Sequence, residues 1–479
     1  MCKLVYFCIC LSVLALTGCQ THTSQSHDMR VHWSAGNTAN AEAKISEISK
    51  EETDGTDALI WKLEEGAVAR ANGNLEKSVK AFSHAQSLIE KFENEPETSI
   101  SEETQAILTN QSYITYKGYA YDKIMLSVYQ ALNHIEQKKF DDASVDLKRL
   151  EFFQSDAERA NQKRIDNDQK AIADAKKKNK TASYNTSRTL NNQQVASVFK
   201  KYYGDAYNPD TSAQQAKAVY VNPFAYWLAG LYFANRPLDA SDKNRATDMF
   251  RLGGEMLANK SEVFAKDFKM AEDLANGKID KPTNLTYIIF ETGSAPIRNQ
   301  FKINLPIYIV ARNVPHISMN FPYLTKMQSH TPELNVSIQG KQIKFDTLAD
   351  IDAIVQREFD SHLPMVITKT IISASVKAGT QYAIAQSVGD GWEGLAVNIA
   401  GSIYQSLMND ADLRTWTTLP KYIKVARIET PLNATINIDG VALKLPTDRV
   451  NVVLAKKMNA NGKLILRTFD FCDASKSTK

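Results

Sequence analysis

The spacing of apolar residues changes once along the chain, and this change most limits the possible folds. Before Lys281-Pro282 the apolar side chains recur with the period of an α-helix, about 3.6 residues. After it, short runs rich in β-branched residues alternate with turn residues, as in β-strands. We therefore predict a multidomain protein, with an all-α helical-repeat domain over residues 56–281 and an α+β domain over residues 282–470.

The helical region contains three pairs of apolar stripes, each pair joined by a short polar turn. Gly66 and Ser78 in the first pair have the same spacing as Ala131 and Ala143 in the second. The pairs resemble the tetratricopeptide repeat, in which small residues let two helices approach and aromatic residues fill the remaining gap. The alternative is an unrelated helical bundle. The three pairs cover residues 59–89, 121–150 and 224–253.

A charged segment over residues 151–215 separates the second pair from the third. Its first part, Ser155 to Lys180, has few apolar positions and ends in a run of lysines, which predicts a projecting helix. Its second part, Thr181 to Gln194, is polar and predicts a loop. We interpret the lysine run as a solvated helix end, although it could also contact acidic lipid or an anionic glycan.

The α+β region combines strands with a helical insert. Residues 334–345 predict a β-hairpin around Gln339-Gly340. Asp350 to Asp360 and Met365 to Gln386 predict two helices, and glycines at 389, 391 and 394 separate the second from further helical sequence. Residues 471–479 form a polar tail.

The first 18 residues predict a signal peptide, because Lys3 precedes an apolar run from Leu4 to Leu16 that is too short to cross a membrane. The run ends in Leu16-Thr17-Gly18-Cys19, which resembles the lipobox of bacterial lipoproteins. The resemblance implies that residues 1–18 are removed and that Cys19 becomes the lipid anchor. Gln20 stands where an aspartate would retain an enterobacterial lipoprotein at the inner membrane, which favours the periplasmic face of the outer membrane. An ordinary cleaved signal is the alternative.

The segment after the anchor is polar and shows no sustained apolar period. We therefore predict a lipidated flexible tether over residues 19–55. Processing would leave Cys472 as the other cysteine of the mature chain. With Cys19 lipidated, Cys472 would have no partner for an internal disulfide, so the core alone would hold the fold.

Three motifs together suggest a family: Ile288 to Pro296, Leu305-Pro306, and Asp410 to Pro420. They resemble an uncharacterised group of bacterial lipoproteins with tetratricopeptide-like repeats. Some members of the group are encoded near lipoproteins that activate penicillin-binding proteins. The resemblance implies a membrane-bound protein with another envelope protein as its partner, and it implies no activity.

The third motif carries the candidate site residues Asp410, Asp412, Arg414 and Trp416. Arg414 can form a bidentate ion pair with either aspartate, and Trp416 can anchor the segment on the domain body. The favoured interpretation is a clamp that joins the helical insert to the strands. The alternative is a ligand or partner site built on the same side chains.

The remaining sequence offers little catalytic chemistry. The eight histidines show no metal-ligand spacing, and no nucleophile elbow or phosphate-binding loop is present. We predict no cofactor, no metal and no enzymatic activity. The net charge of +3 shows no basic excess, so we also exclude a nucleic-acid partner. We expect a protein-binding or scaffold module in cell-envelope assembly. The alternative is an enzyme acting on an envelope polymer, with its site around residues 389–420.

Overall fold

The computed structural model describes most of the chain, and the fold is given for that part. The predicted signal peptide, Cys19, Asp410 and the glycines at 389, 391 and 394 lie outside the described residues. The described residues are 22–94, 104, 107, 114–207, 221–257, 259–306, 316–388, 411–432 and 435–473.

The first half of the described chain is helical, and its helices begin at residues that cap them. Asn222 accepts a hydrogen bond from the Phe224 amide just before a proline, and Ser261 accepts one from the Phe264 amide. The helices are α1 (His22–Gln25), α2 (His27–Ser34), α3 (Thr38–Glu51), α4 (Ala58–Ala71), α5 (Leu75–Asn94), α6 (Ala120–Glu136), α7 (Phe140–Lys178), α8 (Lys180–Leu190), α9 (Gln193–Tyr203), α10 (Pro223–Asn235), α11 (Ala240–Glu255) and α12 (Glu262–Ala275).

The three predicted pairs form the hairpins α4–α5, α6–α7 and α10–α11. Small residues allow the close approach, because a Cβ atom at Gly66 would lie 2.4 Å from the Phe82 ring, and one at Gly230 would lie 2.9 Å from the Phe250 ring. Ser78 stands where the repeat usually has alanine. Its hydroxyl donates a hydrogen bond of 2.7 Å to the Gly66 carbonyl, so the polar group is satisfied inside the hairpin.

The prediction of a flexible tether over residues 19–55 is wrong from His22 onward. These residues form α1, α2 and α3, and they pack against the rest of the molecule. Met29 and Trp33 on α2 are buried, and the Lys456 ammonium lies 4.9 Å from the centre of the Trp33 ring. Met29 and Trp33 are four positions apart, as are Ala41 and Ile45 on α3, so the sequence does carry a short helical spacing that the prediction missed.

The charged segment over residues 151–215 also differs from its prediction. Its first part does not form a separate helix, because α7 runs without a break from Phe140 to Lys178. The predicted polar loop, Thr181 to Gln194, is largely the helix α8. Ala182, Thr186 and Thr189 are buried on one face of α8, so small and hydroxylated side chains provide the packing face that larger apolar residues usually provide.

The strands begin at Leu285 and form three sheets. The largest has the order β11-β10-β1-β7-β6, in which β1 pairs in parallel with β10 and antiparallel with β7. The strands β2 and β3 form a separate hairpin, and the third sheet has the order β5-β4-β8-β9. The strands are β1 (Leu285–Thr292), β2 (Ile297–Pro306), β3 (His316–Thr325), β4 (Val336–Ile338), β5 (Lys341–Gln342), β6 (Asp346–Asp350), β7 (Tyr422–Glu429), β8 (Ile436–Ile438), β9 (Val441–Leu443), β10 (Val450–Lys457) and β11 (Ile465–Asp470).

One long helix replaces the two helices predicted over residues 350–386. The helix α13 (Ile351–Val388) contains Pro364 in its interior, where the sequence suggested a break. Its buried residues Phe359, Leu363 and Ile367 pack with the β2–β3 hairpin. This packing holds α13 in one piece despite the proline.

The helical and strand-containing regions share one continuous hydrophobic core. Trp61 and Trp227 from the helices belong to the same buried cluster as Tyr287 from β1 and Trp416 from the segment before β7. The described chain therefore forms a helix-rich region and a sheet-containing region with a buried joint between them, and this joint contains Trp416 of the candidate site.

Candidate functional site

The segment from 411 to 421, called the clamp segment below, crosses from the sheet region onto the first two helical hairpins. Its Arg414 holds Asp412 with two parallel bonds of 2.8 and 3.0 Å. The same guanidinium donates bonds of 2.9 Å to Asp57, just before α4, and 2.8 Å to the Ile114 carbonyl. Burial alone would raise the pKa of Asp412, but the charge and hydrogen bonds of Arg414 hold it below its usual range.

The rest of the clamp segment is held by a buried carboxylate on α4. Glu64 accepts four hydrogen bonds, from the backbone amides and the hydroxyls of Thr417 and Thr418, at 2.5 to 3.2 Å. Burial raises the pKa of Glu64, and the bonds from the two threonines oppose that rise. Trp416 is fully buried, with its ring 6.0 Å from the Phe82 ring and its indole N–H bonded to Thr418.

These contacts bear on the two interpretations of the motif. The structure brings Asp412, Arg414 and Trp416 together, whereas Asp410 lies outside the described residues. Arg414 is 6% exposed, and its hydrogen bonds go to other parts of the chain. A partner therefore cannot reach Arg414 or Trp416 without displacing the segment. The geometry is that of an internal clamp between the sheet region and the hairpins.

A second polar tie joins the two regions at Asp267. Asp267 on α12 is fully buried and accepts a bond of 2.5 Å from the Tyr287 hydroxyl and one of 2.8 Å from the Trp227 indole. Arg427 on β7 donates a third bond of 2.7 Å to it. One carboxylate thus connects α10, α12, β1 and β7.

Two open clefts follow one another along the helical region, between α5 and α7 with α6 beneath them. The first, of about 510 Å³, is lined by Phe92 at the end of α5, by the start of α6, and by α7 from Phe152 onward. The second, of about 290 Å³, lies between the preceding turns of α5 and α7. We call the two together the groove. Val145 and Phe152, which border it on α7, are 54% and 52% exposed, whereas most large apolar side chains of the helices are buried.

Two buried carboxyl groups lie beneath the first cleft, at the start of α6. Glu358 of α13, which lines the cleft, accepts a bond of 3.1 Å from the Ala120 amide. Asp122 accepts bonds from the Tyr116 hydroxyl and the Tyr119 amide at 2.5 and 2.8 Å. Burial raises the pKa of Glu358 to about 7 and that of Asp122 to about 6.

Two arginines compensate this buried negative charge. Arg164 of α7 and Arg298 of β2 each lie against the Tyr119 ring, with their guanidinium carbons 4.3 and 4.5 Å from its centre. Arg298 also donates a bond of 2.7 Å to the Tyr119 hydroxyl. His362, buried nearby on α13, has its pKa lowered by burial and by these arginines, and it is therefore neutral.

The pH dependence of stability should reveal the Glu358 carboxyl. Its folded pKa of about 7 exceeds the ordinary value of 4.5, so the stability it adds is full below pH 4.5 and is lost as the pH rises toward 7. Glu358→Gln has no such titration. The difference in unfolding free energy between Glu358→Gln and wild type should therefore shift in favour of the variant by about 3 kcal/mol from pH 4.5 to pH 8.

Chemical unfolding at the two pH values measures this difference. Glu158→Gln, at an exposed position on α7, is the control and should show no such dependence. Equal effects of Glu358→Gln at both pH values would show that Glu358 does not titrate in this range.

The sequence did not reveal Glu64, Asp267 or Glu358. Asp267 nevertheless carries a signal, because it occupies a position in the apolar stripe formed by Phe264, Met270 and Leu274. A carboxylate at such a position must be paired when the helix packs. Within the described residues, no group of three side chains of the metal-binding types is arranged to hold a metal ion. No helix of that part of the chain is long and apolar enough to span a bilayer.

Comparisons with known proteins add little to this geometry. No protein-family model matches the chain, and no curated protein does. Among solved structures the chain is similar to a tetratricopeptide repeat protein from Parabacteroides merdae. The identity is 14% and the TM-score 0.14, over 52% of this chain and 97% of that one. A likeness at this TM-score carries no argument, so the architecture rests on the hairpins themselves.

Proposed function

We propose that the protein is a lipid-anchored scaffold that binds a segment of another envelope protein in the groove between α5 and α7. Cys19 carries the lipid in this proposal, and the protein lies on the periplasmic face of the outer membrane. The observation that carries the proposal is the pair of clefts with exposed Val145 and Phe152 at their border. A bound partner that buries apolar side chains of this size gains about 1–2 kcal/mol of binding free energy from each.

The charges of the groove define the chemistry of the occupant. Cationic side chains outnumber carboxylates in the first cleft, whereas carboxylates outnumber arginine in the second. An extended or helical segment with acidic residues toward the first cleft and an apolar residue beside Phe152 fits this distribution. The cationic residues of the first cleft are Lys117, Lys123, Arg159, Lys163 and Arg164, and the carboxylates of the second are Glu90, Asp142 and Asp146.

Site-specific photo-crosslinking in intact cells tests this proposal. A photoreactive phenylalanine analogue at Phe152 is expected to give a discrete adduct with one envelope protein. The same group at Leu238, which is 78% exposed and lies outside the groove, should not give that adduct. Val145→Asp is expected to reduce the adduct at position 152 by about tenfold, because it places a charge in the apolar border. An adduct that forms equally from both positions contradicts groove binding.

A second candidate function is an enzyme that acts on an envelope polymer. The observation in its favour is Glu358, a carboxyl group with a pKa near neutrality on the wall of a 510 Å³ cleft. Incubation of the purified protein with isolated peptidoglycan discriminates the two. If the protein is an enzyme, wild type releases soluble fragments and Glu358→Gln does not. If it is a scaffold, neither wild type nor Glu358→Gln releases fragments.

A further inference from the structure

The N-terminal end of the described chain is fixed firmly in the fold. His22 is 3% exposed, and its ring centre lies 4.4 Å from that of Trp61 on α4. The next residue, Thr23, donates a hydrogen bond of 3.1 Å to the Arg298 carbonyl at the start of β2. Burial, with help from Arg30, lowers the pKa of His22 to about 3, so the ring is neutral and compatible with its apolar surroundings.

This position limits how far the body can move from an anchor on Cys19. Only Gln20 and Thr21 separate Cys19 from His22. Since consecutive Cα atoms lie at most about 3.8 Å apart, the lipidated residue can be no farther than roughly 11 Å from His22. The flexible tether predicted over residues 19–55 would instead have a root-mean-square length of about 35 Å and would leave the body free to rotate.

We propose that one end of the protein lies directly against the bilayer surface, with lipid headgroups as its partner. We call it the membrane end. It consists of α1, the start of β2 and residues 411 and 412. The bond from Thr23 to the Arg298 carbonyl and a bond of 3.0 Å from the Ala411 amide to the Gln300 side chain bring these pieces together. The inference rests on the proposed lipidation of Cys19. It goes beyond that proposal because an anchor alone does not fix which surface faces the lipid.

The orientation has a consequence for the groove. The helix α6 begins at the membrane end, since Arg298 bonds to Tyr119 and Arg414 bonds to the Ile114 carbonyl. The first cleft lies at this start of α6, and the second lies along its later turns. A partner in the groove would therefore have one end close to the bilayer, as a protein segment next to a membrane anchor would.

The sheet provides a remote reference point. The strand β1 ends at Thr292, five residues before β2 begins, and Thr292 pairs with Tyr422, which directly follows the clamp segment. This is the end of the sheet that connects to the membrane end, whereas β1 begins at Leu285, which pairs with Glu429. Eight residues of strand extend about 25 Å. Leu432, which is 69% exposed and follows β7, therefore lies at the far end of the sheet.

Fluorescence quenching on vesicles tests the orientation. In the full-length lipidated protein with Cys472→Ser, a fluorophore is attached at His27→Cys, an exposed position next to α1, or at Leu432→Cys. The vesicles contain phosphatidylethanolamine, phosphatidylglycerol and a lipid with a nitroxide headgroup. Because such quenching acts at short range, we expect it to be at least about threefold stronger at position 27 than at position 432.

A spacer variant is the matched control. Insertion of about 15 Gly and Ser residues between Gln20 and Thr21 keeps the lipobox and adds roughly 20 Å of reach. Binding to vesicles should persist, while quenching at position 27 falls to the value at position 432.

The outcomes separate the two proposals. Equal quenching at positions 27 and 432 in the lipidated protein without the spacer overturns the orientation and leaves the anchor intact. If Cys19→Ala, produced as an unlipidated protein, binds the vesicles as well as the lipidated protein, the anchor itself is wrong. Strong quenching at position 27 that the spacer does not reduce also contradicts the orientation, because the short connection would then not be its cause.

Discussion

Replacing Glu64 with glutamine is expected to release the clamp segment and to lower the free energy of unfolding by about 2–4 kcal/mol. Four donors from Thr417 and Thr418 point at the two carboxylate oxygens. Glutamine offers one acceptor oxygen and turns an NH₂ group toward the remaining donors, so at least one buried amide loses its partner. Denaturant unfolding measures the loss, and hydrogen exchange at residues 417 and 418 should accelerate.

A control variant and a double variant show whether the lost hydrogen bonds cause the loss of stability. Glu76→Gln changes an exposed carboxylate in the first turn of α5 and should alter stability by less than about 0.5 kcal/mol. Thr418→Val removes one donor from the same site. Combined with Glu64→Gln, it should cost less than the sum of the two single changes by about 1 kcal/mol or more. Strict additivity would show that the hydrogen bonds to Glu64 do not hold the clamp segment.

The helical hairpins could be predicted because their information is local. Gly66 and Ser78 mark a close approach between helices that follow each other in the chain, and the apolar period identifies their packing faces. The strand runs were equally visible, since alternation and turn residues act over a few positions. Local patterns of this kind depend little on the distant parts of the molecule.

The joint could not be predicted in the same way, because its partners are far apart in the sequence. Arg414 was expected to pair with a neighbouring aspartate, and it does bind Asp412, but its bond to Asp57 crosses more than 350 positions. The polar sequence of α1 to α3 likewise looked unstructured, because its apolar stripes are only two residues long, Met29 with Trp33 and Ala41 with Ile45. Trp33 packs against Lys456, which lies more than 400 positions away. Tertiary contacts decide the structure of such segments, and local propensity does not.

The joint also explains how the described part of the chain, in which Cys472 is free, can remain a single body without a disulfide. The helical and sheet regions share an apolar core, and carboxylates inside the core fix their relative position. Buried polar ties of this kind add geometric specificity, because each one is satisfied in a single arrangement only. The groove and the proposed membrane end are therefore held at a fixed orientation to each other, as the proposed scaffold would need in order to present a partner at the membrane.

Among the buried carboxylates that join the two regions, Asp267 should have the largest effect on stability. Asp267→Ala is expected to cost about 3–5 kcal/mol, because it leaves the Arg427 guanidinium, the Tyr287 hydroxyl and the Trp227 indole without their common acceptor. Asp267→Asn keeps the shape and one acceptor oxygen, so we expect a smaller loss of about 2–3 kcal/mol. Thermal and denaturant unfolding followed by tryptophan fluorescence measure both, since Trp227 lies in the tie.

The comparison with a surface carboxylate on the same helix decides the interpretation. Glu262→Gln alters a side chain on α12 that is 82% exposed, and it should change stability by less than about 0.5 kcal/mol. If Asp267→Ala were as mild as Glu262→Gln, apolar packing alone would hold the helices on the sheet. If Asp267→Ala costs several kcal/mol and Arg427→Met added to it restores part of the loss, the unpaired guanidinium is the cause, because removing the second charge removes its desolvation cost.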